Sequence, residues 1–201
     1  MSGNASSQSK STRWKEALKR PSTRYSVVSL LLLGCVIGIL LWGGFNTGLE
    51  ATNSMGFCTG CHEMQDNVFE EYRDTIHYSN RTGVRVTCSD CHVPKDLAHK
   101  MIRKVKASRE LWGKLTGSID TREKFEAKRM ELATREWDRM AANGSAECRN
   151  CHSFDNMVPR KQNPRAQKKH TLAKQEGKTC IECHKGIAHL LPAEYKEPGD
   201  E

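Results

Sequence analysis

The chain has 201 residues, of which 37% are hydrophobic, and a formal net charge of +8. A chain of this length builds at most one small domain beside any membrane segment. The basic excess does not mark a nucleic-acid binder. Residues 1–24 hold six basic side chains and one acidic one, basic and acidic residues interleave over the rest, and no DNA-reading motif occurs.

Residues 1–12 are rich in Ser, Asn and Gln and read as disordered. A basic stretch follows, and then the nineteen residues Val27–Phe45 carry no charge. That is long enough to cross a bilayer as one helix. A cleaved signal peptide would have a shorter apolar run and a small-residue cleavage site, which Trp42-Gly-Gly-Phe45 does not offer. Lys10, Arg13, Lys15, Lys19, Arg20 and Arg24 stand before the span against Glu16 alone, which favours a cytoplasmic N-terminus. The expected organisation is a cytoplasmic tail over 1–24, a transmembrane anchor over 25–47 and a domain over 48–201 on the far side. The basic tail suits anionic lipid headgroups. Gly43, Gly44 and Gly48 mark the exit of the span, and Cys35 within it reads as a small apolar residue.

Beyond the span, a helix is expected over Lys95 to Trp112. A second begins at the capping box Asp120-Thr-Arg-Glu123 and ends at Asn143-Gly144. Phe125, Met130, Ala133, Trp137 and Met140 give the second helix a loose apolar face. Pro159 to Lys169 reads as a solvated basic loop, or as a docking surface for an acidic redox partner. The tail after Pro192 reads as acidic and mobile. No alternating strand pattern appears.

Four CxxCH motifs dominate the far-side domain: Cys58–Cys61–His62, Cys88–Cys91–His92, Cys148–Cys151–His152 and Cys180–Cys183–His184. This is the attachment pattern of c-type haem, with two thioether bonds to the haem and a histidine beside them for the iron. Two four-cysteine zinc sites would not explain why every pair is followed at once by His. The motifs use eight of the nine cysteines, so four covalently bound haem c groups are expected. Bacterial attachment of such haems takes place outside the inner membrane, which agrees with the charge argument and makes the domain periplasmic. With so few apolar side chains available, the domain is expected to fold only with its haems.

Four further histidines, His77, His99, His170 and His189, are available as second ligands. His77 lies 15 residues after His62, and His170 lies 18 after His152. Each stands between the two motifs of its half, so the pattern reads as a duplicated dihaem unit in which His77 and His170 play equivalent roles. His189 lies five residues after His184, but the matching place after His92 holds Leu97, with His99 two residues on. One haem is therefore left with unusual ligation. Met64, two residues after His62, is a candidate ligand for the first haem, because thioether sulfur binds haem iron. That haem follows the span by about a dozen residues. It is well placed to take electrons from quinol dissolved in the bilayer. The fold class is mainly α: one N-terminal transmembrane helix plus a small helix-and-loop multihaem domain.

The single N-terminal span, CTGCHEM, CSDCHVPKD, KMIRKVKAS, IDTREKFEAKRMELA, ECRNCHS and CIECHKGIAH together resemble the NapC/NirT family of membrane-anchored tetrahaem quinol dehydrogenases. The resemblance covers nearly the whole chain, and its length fits the tetrahaem members rather than the five-haem branch. It implies oxidation of menaquinol or ubiquinol and delivery of electrons to a periplasmic nitrate or nitrite reductase, or to its small cytochrome, from a single-pass inner-membrane protein. A homodimer is compatible with it. It further implies His77 on the fourth haem and His189 on the third. By the repeat, His170 then falls to the second. The first haem is the odd one, with His62 or Met64 on one face and Glu110, His99 or an open position on the other. Lys104 and Glu110 match the spacing of the family's quinol-site lysine and acidic residue, although relatives tend to carry Asp where Glu110 stands. Relatives also often carry His at the place of Lys95. Two other readings share these motifs: a passive anchored relay without a quinol site, and a multihaem reductase working at one open haem.

Overall fold

The computed structural model describes residues 24–196. The expected basic tail up to residue 23 and the acidic end beyond residue 196 lie outside the described residues. The chain divides into two units, one ending at Leu49 and one beginning at Glu50.

Helix α1 spans Val27–Ala51, and none of its residues is buried by protein. Its 25 residues rise about 37 Å, enough for a hydrocarbon core of about 30 Å. Gly43, Gly44 and Gly48 do not end it. Glycine in a helix costs about 1 kcal/mol relative to alanine but keeps its N–H, so the ladder runs on through all three.

The second unit is helix and loop, with no strand among the described residues. In chain order it contains α2 (Met55–Cys58), a single π-type turn (Met64–Phe69), α3 (Glu70–Arg73), α4 (Cys88–His92) and α5 (Leu97–Leu115). Then come α6 (Arg122–Ala142), α7 (Ala146–Arg149), a 3₁₀ turn (Pro159–Lys161), α8 (Pro164–Glu176) and α9 (Cys180–Cys183). The long helices start on side-chain caps. Asp96 accepts from the His99 N–H at the head of α5, and Asn163 accepts from the Ala166 N–H at the head of α8.

Boundaries differ from the sequence expectation: α5 starts two residues later and ends three residues later than the expected Lys95 to Trp112, and the start of α6 and the basic stretch after Pro159 differ as well. The cap of α6 is Thr121, which accepts from the Lys124 N–H, while the Asp120 carboxylate is taken by the Lys124 ammonium at 2.6 Å. Much of the stretch read as a basic loop is helical. Asn163 caps it, Pro164 supplies the preset first-turn φ, and the exposed Lys and Arg side chains do not oppose the helix.

The apolar interior is thin. Among the described residues only Tyr72, Phe125, Met140 and Ile181 are buried hydrophobic side chains. On α6, Arg129 is buried beside Phe125 and Met140, a position that the apolar pattern did not include. Four such side chains cannot fill a domain of this size to native density. That fits an interior completed by large groups attached to the chain.

Candidate functional site

The four motif helices follow one another in space as they do in sequence. Helix α2 packs on α4, and α4 packs on α7. Cys88 Sγ lies 3.1 Å from Met55 Sδ, which brings the first two motifs together. Ser145, fully buried and in the left-handed region at φ 56°, accepts from the Ile181 N–H at 3.1 Å. That bond ties the head of the third motif helix to the fourth. Gly144 beside it sits at φ 66°, and a Cβ there would meet the Arg149 guanidinium at 2.8 Å.

Three histidine pairs are set among the motifs. The His77 and His152 ring centroids lie 6.3 Å apart, those of His92 and His189 6.2 Å, and those of His170 and His184 5.9 Å. A first-row metal–imidazole bond is about 2 Å long, so two imidazoles on opposite sides of one metal hold their centroids about 6 Å apart. Each pair joins one motif histidine to one spare histidine. Among the described residues no group of three or more His, Cys, Asp or Glu side chains forms a metal cage. Two axial ligands per iron, with the macrocycle supplying the rest, is the arrangement such pairs fit.

The partners differ from those inferred from resemblance and repeat. The structure sets His77 against the third motif rather than the fourth, His189 against the second rather than the third, and His170 against the fourth rather than the second. His77 and His170 are therefore not equivalent. His170 faces a motif of its own half, whereas His77 reaches into the other half.

Neighbouring groups orient these rings. His92 Nδ1 lies 2.8 Å from Glu136 Oε1, and His170 Nδ1 lies 2.8 Å from Gln162 Oε1. His189 Nδ1 lies 3.1 Å from the Val68 carbonyl oxygen. With Nδ1 donating, Nε2 is left bare, which is how metal-binding imidazoles are held. Burial by itself would raise the Glu136 carboxyl, but His92 and Arg139 outweigh it and hold the group well below the usual range. Burial, together with neighbouring His92, pushes His189 down to about 4, so that ring is a neutral donor at pH 7. His77 Nδ1 is buried without a hydrogen-bond partner. A buried ring nitrogen without a partner, on a ring whose centroid lies 6.3 Å from that of His152, fits a group reserved for a metal.

The loops carrying His77 and His189 are clamped. The Tyr72 hydroxyl donates toward the carbonyls of His77 and Val86, and burial pushes this phenol up to about 12. The buried Glu71–Arg129 pair grips Leu190 from both sides: Arg129 donates to its carbonyl at 3.2 Å, and its N–H donates to Glu71 at 2.8 Å. Sequence reasoning missed Tyr72, Glu71, Arg129, Glu136, Gln162 and Ser145. Only the caps had a local signal: Thr87 with Asp90 and Thr179 with Glu182 form capping boxes at the start of the second and fourth motifs.

The first motif is unlike the others. His62 faces no second histidine. Its Nε2 lies 3.3 Å from Glu63 Oε1, and its side chain is 60% exposed. Met64 opens the π-type turn and is exposed. His99 lies on the surface, 70% exposed, with Nδ1 2.7 Å from Asp96. Lys104 Nζ donates to the Thr52 carbonyl at 3.0 Å and to Thr52 Oγ1 at 2.8 Å. Lys100 pairs with Glu50 at 3.0 Å, and Lys114 with Glu63 at 3.3 Å. Burial lowers the Lys104 pKa, aided by Lys100 and Arg103 and opposed by Cys58 and Glu50. Glu110 is half exposed and paired with Arg103 at 3.0 Å, on the flank of α5 rather than beside Lys104.

Comparison with known proteins agrees with this geometry. Residues 20–194 match the NapC/NirT cytochrome c family, N-terminal region. The chain is 61% identical to the denitrification system component NirT of Stutzerimonas stutzeri over 184 residues, 92% of each chain. It is 55% identical to the cytochrome c-type protein NapC of Escherichia coli K12 over 181 residues, 90% of each. It is 49% identical to the cytochrome c-type protein TorC of the same strain over 177 residues, 88% of this chain but 45% of TorC. No solved structure matches it. A likeness of this extent, on a chain with one apolar anchor helix and four CxxCH helices in succession, makes the protein a member of the NapC/NirT family: a membrane-anchored c-type cytochrome that carries electrons on covalently bound haem c.

Proposed function

We propose that the protein binds four haem c groups and carries electrons from a membrane quinol, menaquinol or ubiquinol, to a periplasmic nitrate or nitrite reductase or to its small cytochrome. The observation that carries this reading is the succession of motif helices with three facing histidine pairs, leaving the first motif, next to the anchor, without one. Haem iron supplies a one-electron carrier at each motif. The eight motif cysteines would hold the groups, and the three histidine pairs would supply ligands at the second, third and fourth motifs. For the first, the reading assigns Met64 rather than His62, because the ligating Nε2 of His62 is turned to Glu63. The N-terminus lies in the cytoplasm and the domain in the periplasm, as the charges before the span favour. The name of the 61% identical relative places that protein in a denitrification system, which supports an acceptor of the nitrate or nitrite branch.

Quinol oxidation releases two protons with its two electrons, so the site needs a donor to orient the quinol oxygen and a group to take a proton. Lys104 stands close to Cys58 and is held by Thr52, the residue after the anchor helix. Its lowered pKa makes the neutral, proton-accepting form easier to reach. Glu110, outward on the same helix with Arg103, suits passage of protons to solvent. The test uses full-length protein in quinol-loaded vesicles. Lys104→Gln is expected to slow reduction by quinol at least tenfold and Glu110→Gln by less, while both keep wild-type reduction by dithionite. Wild-type quinol rates in both variants would move the site elsewhere. No reduction by quinol even in wild type would leave a passive relay.

A further inference from the structure

Helix α5 has two unlike sides. Lys100, Lys104 and Lys114 turn one side to Glu50, Thr52 and Glu63. Val105 and Trp112 lie about 100° and 80° round the axis from Lys104. Both are 67% exposed, Ile102 about 160° round is 52% exposed, and no residue of the helix is buried. This side points away from the first motif, which occupies the lysine side through Cys58 and Glu63. A soluble protein rarely leaves such a row in water.

We infer that the Ile102–Val105–Trp112 side of α5 is a second membrane contact, lying in the headgroup and upper acyl region of the bilayer that the anchor crosses. Three observations choose lipid as the occupant. Lys104 pins the helix to Thr52, one residue past the end of α1, so chain connectivity holds α5 where the anchor meets the bilayer surface. Lys106 and Arg109 are exposed beside the apolar row, where basic side chains meet anionic headgroups. Trp112 in the row is the residue type that settles at membrane interfaces. The helix is thus an interfacial amphipathic element that holds the domain down by more than its single tether. It rests on the membrane anchoring and not on the quinol reading.

The test uses haem-loaded full-length protein in nanodiscs that hold one copy each, with a lipid bearing a photoreactive diazirine near the glycerol. After illumination and digestion, adducts are mapped by mass spectrometry. Adducts are expected on Ile102, Val105 and Trp112 as well as on the apolar part of α1. The exposed Val105→Asp/Trp112→Asp double variant should lose at least five-fold of the α5 labelling, with α1 labelling and haem content unchanged. Labelling confined to α1 overturns the inference and leaves a protein surface as the occupant, since the discs exclude a second copy. Equal α5 labelling in wild type and double variant also overturns it, because the apolar row would then not be what holds the lipid.

Discussion

Three of the paired histidine rings are held at Nδ1 by groups that no motif announces. Glu136 reaches His92 from the middle of α6, Gln162 reaches His170 from the 3₁₀ turn, and the Val68 carbonyl holds His189. The residue types were legible in the sequence, since CxxCH declares its chemistry and the surplus of histidines supplies its counterpart. Who faces whom was not. His77 and His152 are 75 residues apart, and their meeting depends on how α4, α6 and α7 reverse the chain, which no local spacing records. The facing pairs make a non-additive expectation. His92→Ala and His189→Ala should each turn one haem from low spin to high spin, and the double variant should still affect only one. His92→Ala combined with His170→Ala should affect two. Low-spin signals counted by electron paramagnetic resonance check this. Loss of a single haem in the second double variant would restore the pairing inferred from the repeat.

Elements here are set by short polar devices more than by apolar periodicity. Helix α8 was hidden by its charge, although Asn163-Pro164 is a cap followed by a first-turn proline. The start of α6 was missed by one residue, because Asp120 and Thr121 both suit a cap and only the position of the Lys124 ammonium decides between them. The junction of α6 and α7 shows what such devices contribute. Glu147 is buried at the head of α7, where it accepts from Arg139 at 2.7 Å and from Asn143 at 2.9 Å. Burial alone would raise its pKa, but Arg139 and Asn143 outweigh it and hold it below the usual value. The folded-state pKa is thus below the unfolded one, so this contribution is complete above the unfolded carboxylate pKa of about 4.3 and is lost as pH falls through the lower folded value. Glu147→Gln is expected to cost about 1.5–3 kcal/mol at pH 7, in the range for hydrogen bonds to a charged group. Thermal unfolding followed at the haem bands should show the gap between wild type and variant narrowing between pH 5 and pH 3. A gap of constant size would assign the effect to packing instead of charge.

At the scale of the molecule, the thin core and the order of the motifs express one design. The domain has too few buried apolar side chains to stand on them, and its paired histidines fall where groups bound at successive motifs can be held. The sequence made the mainly helical class, the anchor and the motif order visible, because composition and motif spacing record them. It made the duplication too prominent. The two halves share the capping boxes of their second motifs, yet the His77 loop crosses from the first half and sets its ring 6.3 Å from that of His152 in the third motif. That crossing can be tested on electron flow. On the proposed reading, His77→Met would still offer a ligand to the haem at the third motif, and thioether in place of imidazole would raise its potential. The expected protein carries four haems and is reduced by quinol at the wild-type rate, since the first two haems are untouched. It then gives electrons to the periplasmic acceptor at least tenfold more slowly, because they settle on the third haem. Stopped-flow reduction and reoxidation of full-length protein in vesicles measures both steps. Unchanged reoxidation would mean that the path does not run through the haem that His77 faces.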